Sequence, residues 1–133
     1  MLTVVEGLPA FIAYFALGAG LLAAFTFIYI RLTAHDEMAL VRSGNVAAAI
    51  MLAGAVIGLA LPIGAAIANT QLIVAAAIWS LIGCLVQLGA YGVSRLIIDD
   101  QPGRIERGEI STALLCGTIS VAAGILNAAC MTY

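Results

Sequence analysis

Long apolar runs separated by two short charged stretches make up this chain of 133 residues. Three runs carry no Asp, Glu, Lys or Arg: residues 7–30, 43–94 and 110–133, which are 24, 52 and 24 residues long. A helix needs about 20 apolar residues to cross about 30 Å of hydrocarbon. The first and last runs therefore predict one crossing each, and the central run predicts two crossings joined by a turn.

The turn is predicted at Asn69-Thr70-Gln71, a polar cluster inside the central run. We expect helices, because a spanning segment must satisfy its own backbone hydrogen bonds and these runs lack the alternation of a β-barrel. No basic residue precedes the first run, so its helix is expected to be retained rather than cleaved as a signal peptide. The prediction is an all-α integral membrane protein, a single domain over residues 1–133. Its four transmembrane helices are Leu8–Ile30, Val46–Ala68, Gln71–Ser94 and Ile110–Thr132.

Eleven of the twelve formal charges lie between residues 31 and 42 or between residues 95 and 109, and Glu6 stands apart. Both stretches together hold all five basic residues: Arg31, Arg42, Arg95, Arg104 and Arg107. Loops that carry Arg stay in the cytoplasm under the positive-inside rule. We therefore expect loops 31–44 and 95–109 to be cytoplasmic, and both termini to face the other side of the membrane.

The chain resembles itself when it is shifted by 64 residues. The shift aligns residues that end one helix and open the next: Arg31 with Arg95, Asp36 with Asp100, and Gly44 with Gly108. Such self-similarity predicts tandem helical hairpins at about 7–69 and 71–133. Because each hairpin holds two crossings, both would enter the membrane in the same direction, as parallel repeats.

A short connection joins the two crossings of each hairpin. Residues 35–44 predict an amphipathic turn of helix at the membrane interface, whereas Gln101-Pro102-Gly103 predicts a turn in the second connection. Gly44, Asn45 and Gly108 form a helix-start motif, in which glycine lets the chain bend into the next crossing.

Small residues recur at the spacing of helix–helix interfaces. Gly54 and Gly58 form a GxxxG motif, and Gly117 and Gly124 belong to a stripe of small residues in the fourth crossing. Lipid supplies no hydrophobic drive between helices, so close backbone approach holds them together. These four glycines predict tight packing of the second and fourth crossings, either against each other or against another subunit.

Two amides lie within the predicted crossings, Gln87 near the middle of the third and Asn127 in the outer half of the fourth. An amide in lipid bonds across a helix interface, or it lines a polar pore. Pro62 in the second crossing removes a backbone donor, and it either shapes the helix or gates a cavity. The sequence leaves these alternatives open.

Other chemistry is sparse. Cys84, Cys116 and Cys130 match no metal-binding spacing, and His35 is the single histidine. The sequence has no phosphate-binding glycine loop and no Ser/His/Asp set. No charge lies deep in a crossing, where proton-coupled carriers and pumps normally carry one. We therefore expect no enzyme activity, no cofactor or metal and no nucleic-acid partner, and membrane lipid around the chain.

One stretch resembles a known family. It contains Glu37, Arg42-Ser43-Gly44-Asn45, Ala47-Ala48-Ala49-Ile50, Gly54, Gly58 and Pro62. It is similar to the bacterial inner-membrane family called domain of unknown function three-fifty, the YjfL-like proteins, in which Gly-Asn-x-Ala-x-Ala-Ile opens a helix after an acidic loop. The resemblance covers essentially the whole chain. The second half departs from the pattern, because Glu109 stands at the position of Asn45 and Leu126 at that of Pro62.

The resemblance implies a bacterial inner-membrane location, and with the Arg distribution it predicts periplasmic termini. It also implies a link to envelope stress, because relatives tend to be encoded beside envelope-stress proteins. It implies no agreed activity. Our first hypothesis is a non-enzymatic membrane component that oligomerises, or docks a cytoplasmic or membrane protein through its Arg-bearing loops. The alternatives are a small ion channel formed by homo-oligomerisation, with Gln87 and Asn127 as its polar lining, and an accessory subunit of a larger membrane complex.

Overall fold

Helices form almost all of the computed structural model, which describes residues 2–33, 37–70 and 72–131. The helices are α1 (Leu2–Leu32), α2 (Glu37–Arg42), α3 (Val46–Asn69), α4 (Ile73–Ile97), α5 (Gln101–Glu106) and α6 (Ile110–Ala129). No strand occurs in these described ranges. Four helices, α1, α3, α4 and α6, are long and apolar enough to cross a membrane. The predicted all-α fold with four transmembrane helices is therefore confirmed.

The helix starts at Val46 and Ile110 agree with the prediction, whereas other bounds differ. α1 begins at Leu2 rather than at Leu8, and it includes Pro9. α4 continues past the predicted end to Ile97. Several predicted features lie outside the described residues: His35, Asp36, Gln71 and Thr132.

The centre of the bundle is the pair of helices α3 and α6, which pack against each other along their lengths. α4 packs on both members of this pair, and α1 lies against α3 and α4. In the most apolar 18-residue stretch of α3, half of the residues are buried. In the corresponding stretch of α1, only 6% are buried. α1 is therefore the peripheral helix, and most of its large apolar side chains face outward, except near Phe25 and Tyr29.

The short helices α2 and α5 form the two connections. The helix predicted within residues 35–44 is present as α2. The turn predicted at Gln101-Pro102-Gly103 is wrong, because these residues open α5 and the turn falls at Asp99-Asp100. Proline fits the first turn of a helix, where its missing N–H has no partner to lose.

Candidate functional site

The backbones of α3 and α6 meet at glycines. A Cβ added at Gly54 would lie 2.5 Å from Cα of Gly117, and one added at Gly58 would lie 2.6 Å from the carbonyl oxygen of Ser120. A Cβ added at Gly124 would lie 2.6 Å from the carbonyl oxygen of Gly58. Side chains almost never approach backbone so closely, so the two helices can lie this close only because Gly54, Gly58 and Gly124 are glycines. The contact residues rise in number together, from Gly54 with Gly117 to Gly58 with Gly124. The two helices therefore run in the same direction.

Gln87 and Asn127 join α4 to α6 by two reciprocal hydrogen bonds. Nε2 of Gln87 donates to the carbonyl oxygen of Ser120 at 3.0 Å. Nδ2 of Asn127 donates to the carbonyl oxygen of Gly83 at 2.8 Å. Each helix thus supplies one amide and one carbonyl, and both bonds lie within a single chain. Bonds of this kind in membranes contribute about 0.6 kcal/mol on average.

One face of α4 carries buried polar residues within an otherwise apolar bundle. Ser80, Gln87, Tyr91 and Ser94 are all buried, and their spacing places them on one side of the helix. The ring of Tyr91 packs edge-to-face against Tyr29 of α1, with 5.2 Å between ring centroids. We call this face, together with Gln101, the polar seam.

Gln101 extends the polar seam beyond the end of α4, and it was not among the predicted site residues. Its side chain is 1% exposed, and its Nε2 lies 3.1 Å from Oγ of Ser94 and 2.6 Å from Sγ of Cys116. Gln101 thus ties α5 to α4 and α6. A signal for it was present in the sequence, because Ser80, Gln87, Ser94 and Gln101 recur every seven residues, the spacing of a helix–helix seam.

Gly44 and Gly108 end α2 and α5 with left-handed backbone, at φ of +89° and +77°. In both, the glycine N–H bonds a carbonyl three residues earlier, and the next N–H bonds one five residues earlier. This pair of bonds is the Schellman motif, in which glycine adopts a conformation that side chains disfavour. The same motif therefore recurs at two positions 64 residues apart.

Asn45 caps α3 and also contacts the other connection. Its Oδ1 accepts a hydrogen bond from the N–H of Ala48 at 3.0 Å. Its Nδ2 donates to the carbonyl oxygens of Ile105 and Glu106 at 2.9 and 3.3 Å. Asn45 therefore joins the start of α3 to the end of α5. Glu109 lies at the corresponding position before α6, and its carboxylate has no N–H to donate.

Glu109 instead accepts hydrogen bonds within its own half of the chain. Its Oε1 accepts from Oγ1 of Thr112 at 2.8 Å and from a guanidinium N–H of Arg104 at 3.0 Å. The Thr112 hydrogen bond, followed by Arg104 and Arg107, holds the pKa of the Glu109 carboxyl below its usual value. Arg107 also forms an ion pair with Asp100 at 3.3 Å. This connection is thus organised by its own charges.

The remaining arginines, Arg31, Arg42 and Arg95, are exposed. The guanidinium of Arg31 lies 4.9 Å from the centre of the Phe27 ring. All five arginines lie at the end of the bundle that holds α2 and α5. Among the described residues, no group of three His, Cys, Asp or Glu side chains could hold a metal ion.

A groove of about 390 Å³ runs along α3 and α6. Its lining comes from Ile50 and Gly54 of α3 and from Leu114, Gly117, Thr118, Val121, Ala122 and Ile125 of α6. α4 packs on the other side of the pair, where Ala55 and Ser120 face Gln87. No other helix among the described residues covers this surface, which we call the α3/α6 groove.

Comparison with known proteins identifies the family. The family model described as Domain of Unknown Function (DUF350) matches residues 3–131. The chain belongs to this family. It is similar to two relatives named UPF0719 inner membrane protein YjfL, one from Escherichia coli (strain K12) and one from Escherichia coli O157:H7. Each is 32% identical over 130 residues, which cover 98% of this chain and 98% of the relative. No solved structure matches the chain significantly.

Membership of the DUF350 family confirms the resemblance found in the sequence. With four helices that can cross a membrane, the chain is a multi-pass inner-membrane protein. The orientation inferred from the arginines stays a prediction.

Proposed function

We propose that this chain is a non-enzymatic component of the inner membrane that associates in pairs through the α3/α6 groove. The observation that carries the proposal is the shape of that groove. Its floor at Gly54 and Gly117 is backbone, and its wall includes the exposed side chains of Leu114 and Ile125. The exposed small residues Thr118 and Ala122 of the groove let another helix approach closely, which is how helices associate in lipid.

The α6 side of the groove has the pattern of a second helix–helix interface. Its residues Leu114, Thr118, Val121, Ala122 and Ile125 recur at the spacing of one helical stripe. This stripe is separate from the glycine face that α6 turns toward α3. α6 thus has one face buried inside the chain and a second face available for a partner.

A second copy of the chain is the occupant that this surface fits. Large side chains at Leu114 and Ile125 flank small ones at Thr118 and Ala122, so the ridge of one copy can rest on the small residues of the other. Two copies that meet groove to groove use the same patch twice around a two-fold axis. This isologous arrangement is by far the commonest among homo-oligomers.

The other hypotheses draw less support from the geometry. A pore lined by Gln87 and Asn127 gains none, because each amide bonds to a backbone carbonyl inside one chain. The exposed side chains of Arg31, Arg42 and Arg95 suit contact with a cytoplasmic protein or with anionic lipid. A partner protein held there is a separate outcome of the experiment below.

Native mass spectrometry of the protein released from nanodiscs tests the proposal. We expect wild type to be a dimer and Ala122→Trp, which fills the groove at an exposed position, to be a monomer. The matched control is Ala24→Trp, which adds the same ring at an exposed alanine of α1 and should remain a dimer. A wild-type monomer, a dimer that survives Ala122→Trp, or a fixed complex with a second protein would each overturn the proposal.

A further inference from the structure

A small cavity of about 10 Å³ interrupts the packing along the polar seam. Its polar lining comes from Tyr29, Gln87, Tyr91 and Ser120, and its apolar lining from Ala55, Leu59 and Leu88. It lies between α1, α3, α4 and α6, and so at the point where all four long helices meet.

One polar atom at this cavity has no partner. Gln87 is 7% exposed, and its Oε1 is fully shielded and accepts no hydrogen bond from any described residue. The orientation of the amide is fixed by its other end, because Nε2 donates to the carbonyl oxygen of Ser120 at 3.0 Å. Rotating the amide by half a turn would place oxygen against oxygen. The acceptor is therefore left facing the interior without a donor from the protein.

We propose that one buried water molecule occupies this cavity and donates a hydrogen bond to Oε1 of Gln87. A buried acceptor without a donor is strongly unfavourable in an apolar surrounding. A single water needs about 10–15 Å³ of such space and two to four polar partners. The cavity has about that size, and Tyr29, Tyr91 and Ser120 bring further polar groups to its wall.

The water lies within the polar seam, with Ser94 toward α5 and Ser80 two helical turns away along α4 in the other direction. Toward α5 the seam continues through Ser94 and Gln101, whose side chains are hydrogen-bonded to each other. Toward the opposite end, the next layer is apolar and consists of Phe25, Leu59, Ile63 and Cys84. The site is therefore closed on one side, and the water is a structural component rather than part of a path through the membrane.

Hydroxyl-radical footprinting by X-ray radiolysis in nanodiscs tests for this water, because a buried bound water gives rise to radicals that modify the side chains around it. We expect Tyr29 and Tyr91 to be modified several-fold faster than Phe25, which is equally buried but lies in the apolar layer, after correction for intrinsic reactivity. Equal rates in wild type would overturn the proposal without any variant.

Two variants separate the water from the stability of the α4–α6 contact. Gln87→Leu keeps nearly the size of the side chain but removes the acceptor, so modification of Tyr91 should fall to the rate of Phe25. Asn127→Leu removes the other amide bond between the same helices, away from the cavity, and should leave the Tyr91 rate unchanged. An equal fall in both variants, or no fall in Gln87→Leu, would refute the water site. The comparison does not depend on whether the chain forms dimers.

Discussion

The contact between Gly54 and Gly117 allows a direct test of how the bundle is held together. In Gly54→Ala, the new Cβ would lie 2.5 Å from Cα and 2.9 Å from the carbonyl oxygen of Gly117. Non-bonded carbon atoms rest about 3.5–4.0 Å apart, so α3 and α6 must separate by about 1 Å at this point. Overpacking of this kind costs about 1–3 kcal/mol. We expect the free energy of unfolding to fall by about 2–3 kcal/mol, because the clash is with backbone and not with a flexible side chain.

The same substitution on the facing helix is the matched control. A Cβ at Gly117 would lie 3.4 Å from the carbonyl oxygen of Ile50 and 3.9 Å from Cα of Gly54, which needs little adjustment. We expect Gly117→Ala to lower the free energy of unfolding by less than about 1 kcal/mol. Gly64→Ala, where the added Cβ meets nothing within 4 Å, reports the intrinsic effect of alanine in α3.

Unfolding in mixed micelles of rising sodium dodecyl sulfate content, followed by circular dichroism, measures these free energies. We expect the loss of unfolding free energy to be largest in Gly54→Ala, smaller in Gly117→Ala and smallest in Gly64→Ala. If Gly54→Ala and Gly117→Ala lose the same unfolding free energy, the two glycines do not differ in the space available for a Cβ, and the contact is not as described. If Gly54→Ala is as stable as wild type, the two backbones do not meet at this residue.

Three further results are expected. Asn45→Ala should lose about 1–2 kcal/mol of unfolding free energy in the same titration, and Asn45→Ser should lose less, because a serine hydroxyl can still cap α3 and only the donor to the carbonyls of Ile105 and Glu106 is lost. Since the folded pKa of Glu109 is lowered, its ionised form stabilises the protein above the unfolded pKa, and that contribution is lost as the pH falls through the folded pKa. Thr112→Val should raise this pKa, which the side-chain carbon NMR shift of Glu109 follows. Cys130 is the exposed cysteine and should react with an impermeant maleimide from the periplasmic side; reaction from the cytoplasm alone would reverse the predicted orientation.

The four crossings could be predicted because the physical cost of the alternatives is large and local. A charge in hydrocarbon is expensive wherever it lies, so the spacing of charges is enough to count the helices. The helix starts at Val46 and Ile110 follow directly after a polar residue and a glycine. The start of α1 and the end of α4 were less predictable, because the predicted crossings stop short of the charged residues Glu6 and Arg95, whereas the helices continue through them. The start of α5 at Gln101 could not be predicted, because the Pro-Gly sequence that follows it occurs both in turns and in the first turn of a helix.

The contacts within the site depend on how each helix is rotated about its axis, which the sequence does not specify. Gln87 was expected to bond across an interface or to line a pore, and only the packing of α4 on α6 reveals the carbonyl of Ser120 as its partner. The α3/α6 groove and the small cavity are gaps between helices, so they depend on crossing angles. The glycines that make the close contacts were identifiable, but their pairing was not.

The polar seam explains why the two predicted repeats occupy different places in the bundle. Counting back 64 residues from Ser80, Gln87 and Ser94 leads to Ala16, Ala23 and Ile30, so α1 lacks the polar residues of α4. A helix that carries an amide and hydroxyls must bury them against partners, because unpaired polar groups are unfavourable in lipid. A helix without them has no such need, and α1 is the least buried of the four long helices. The tandem repeat stays a prediction, and the polarity of α4 accounts for its burial in place of α1. The second half thus supplies every residue of the polar seam, and α1 remains free to contact lipid.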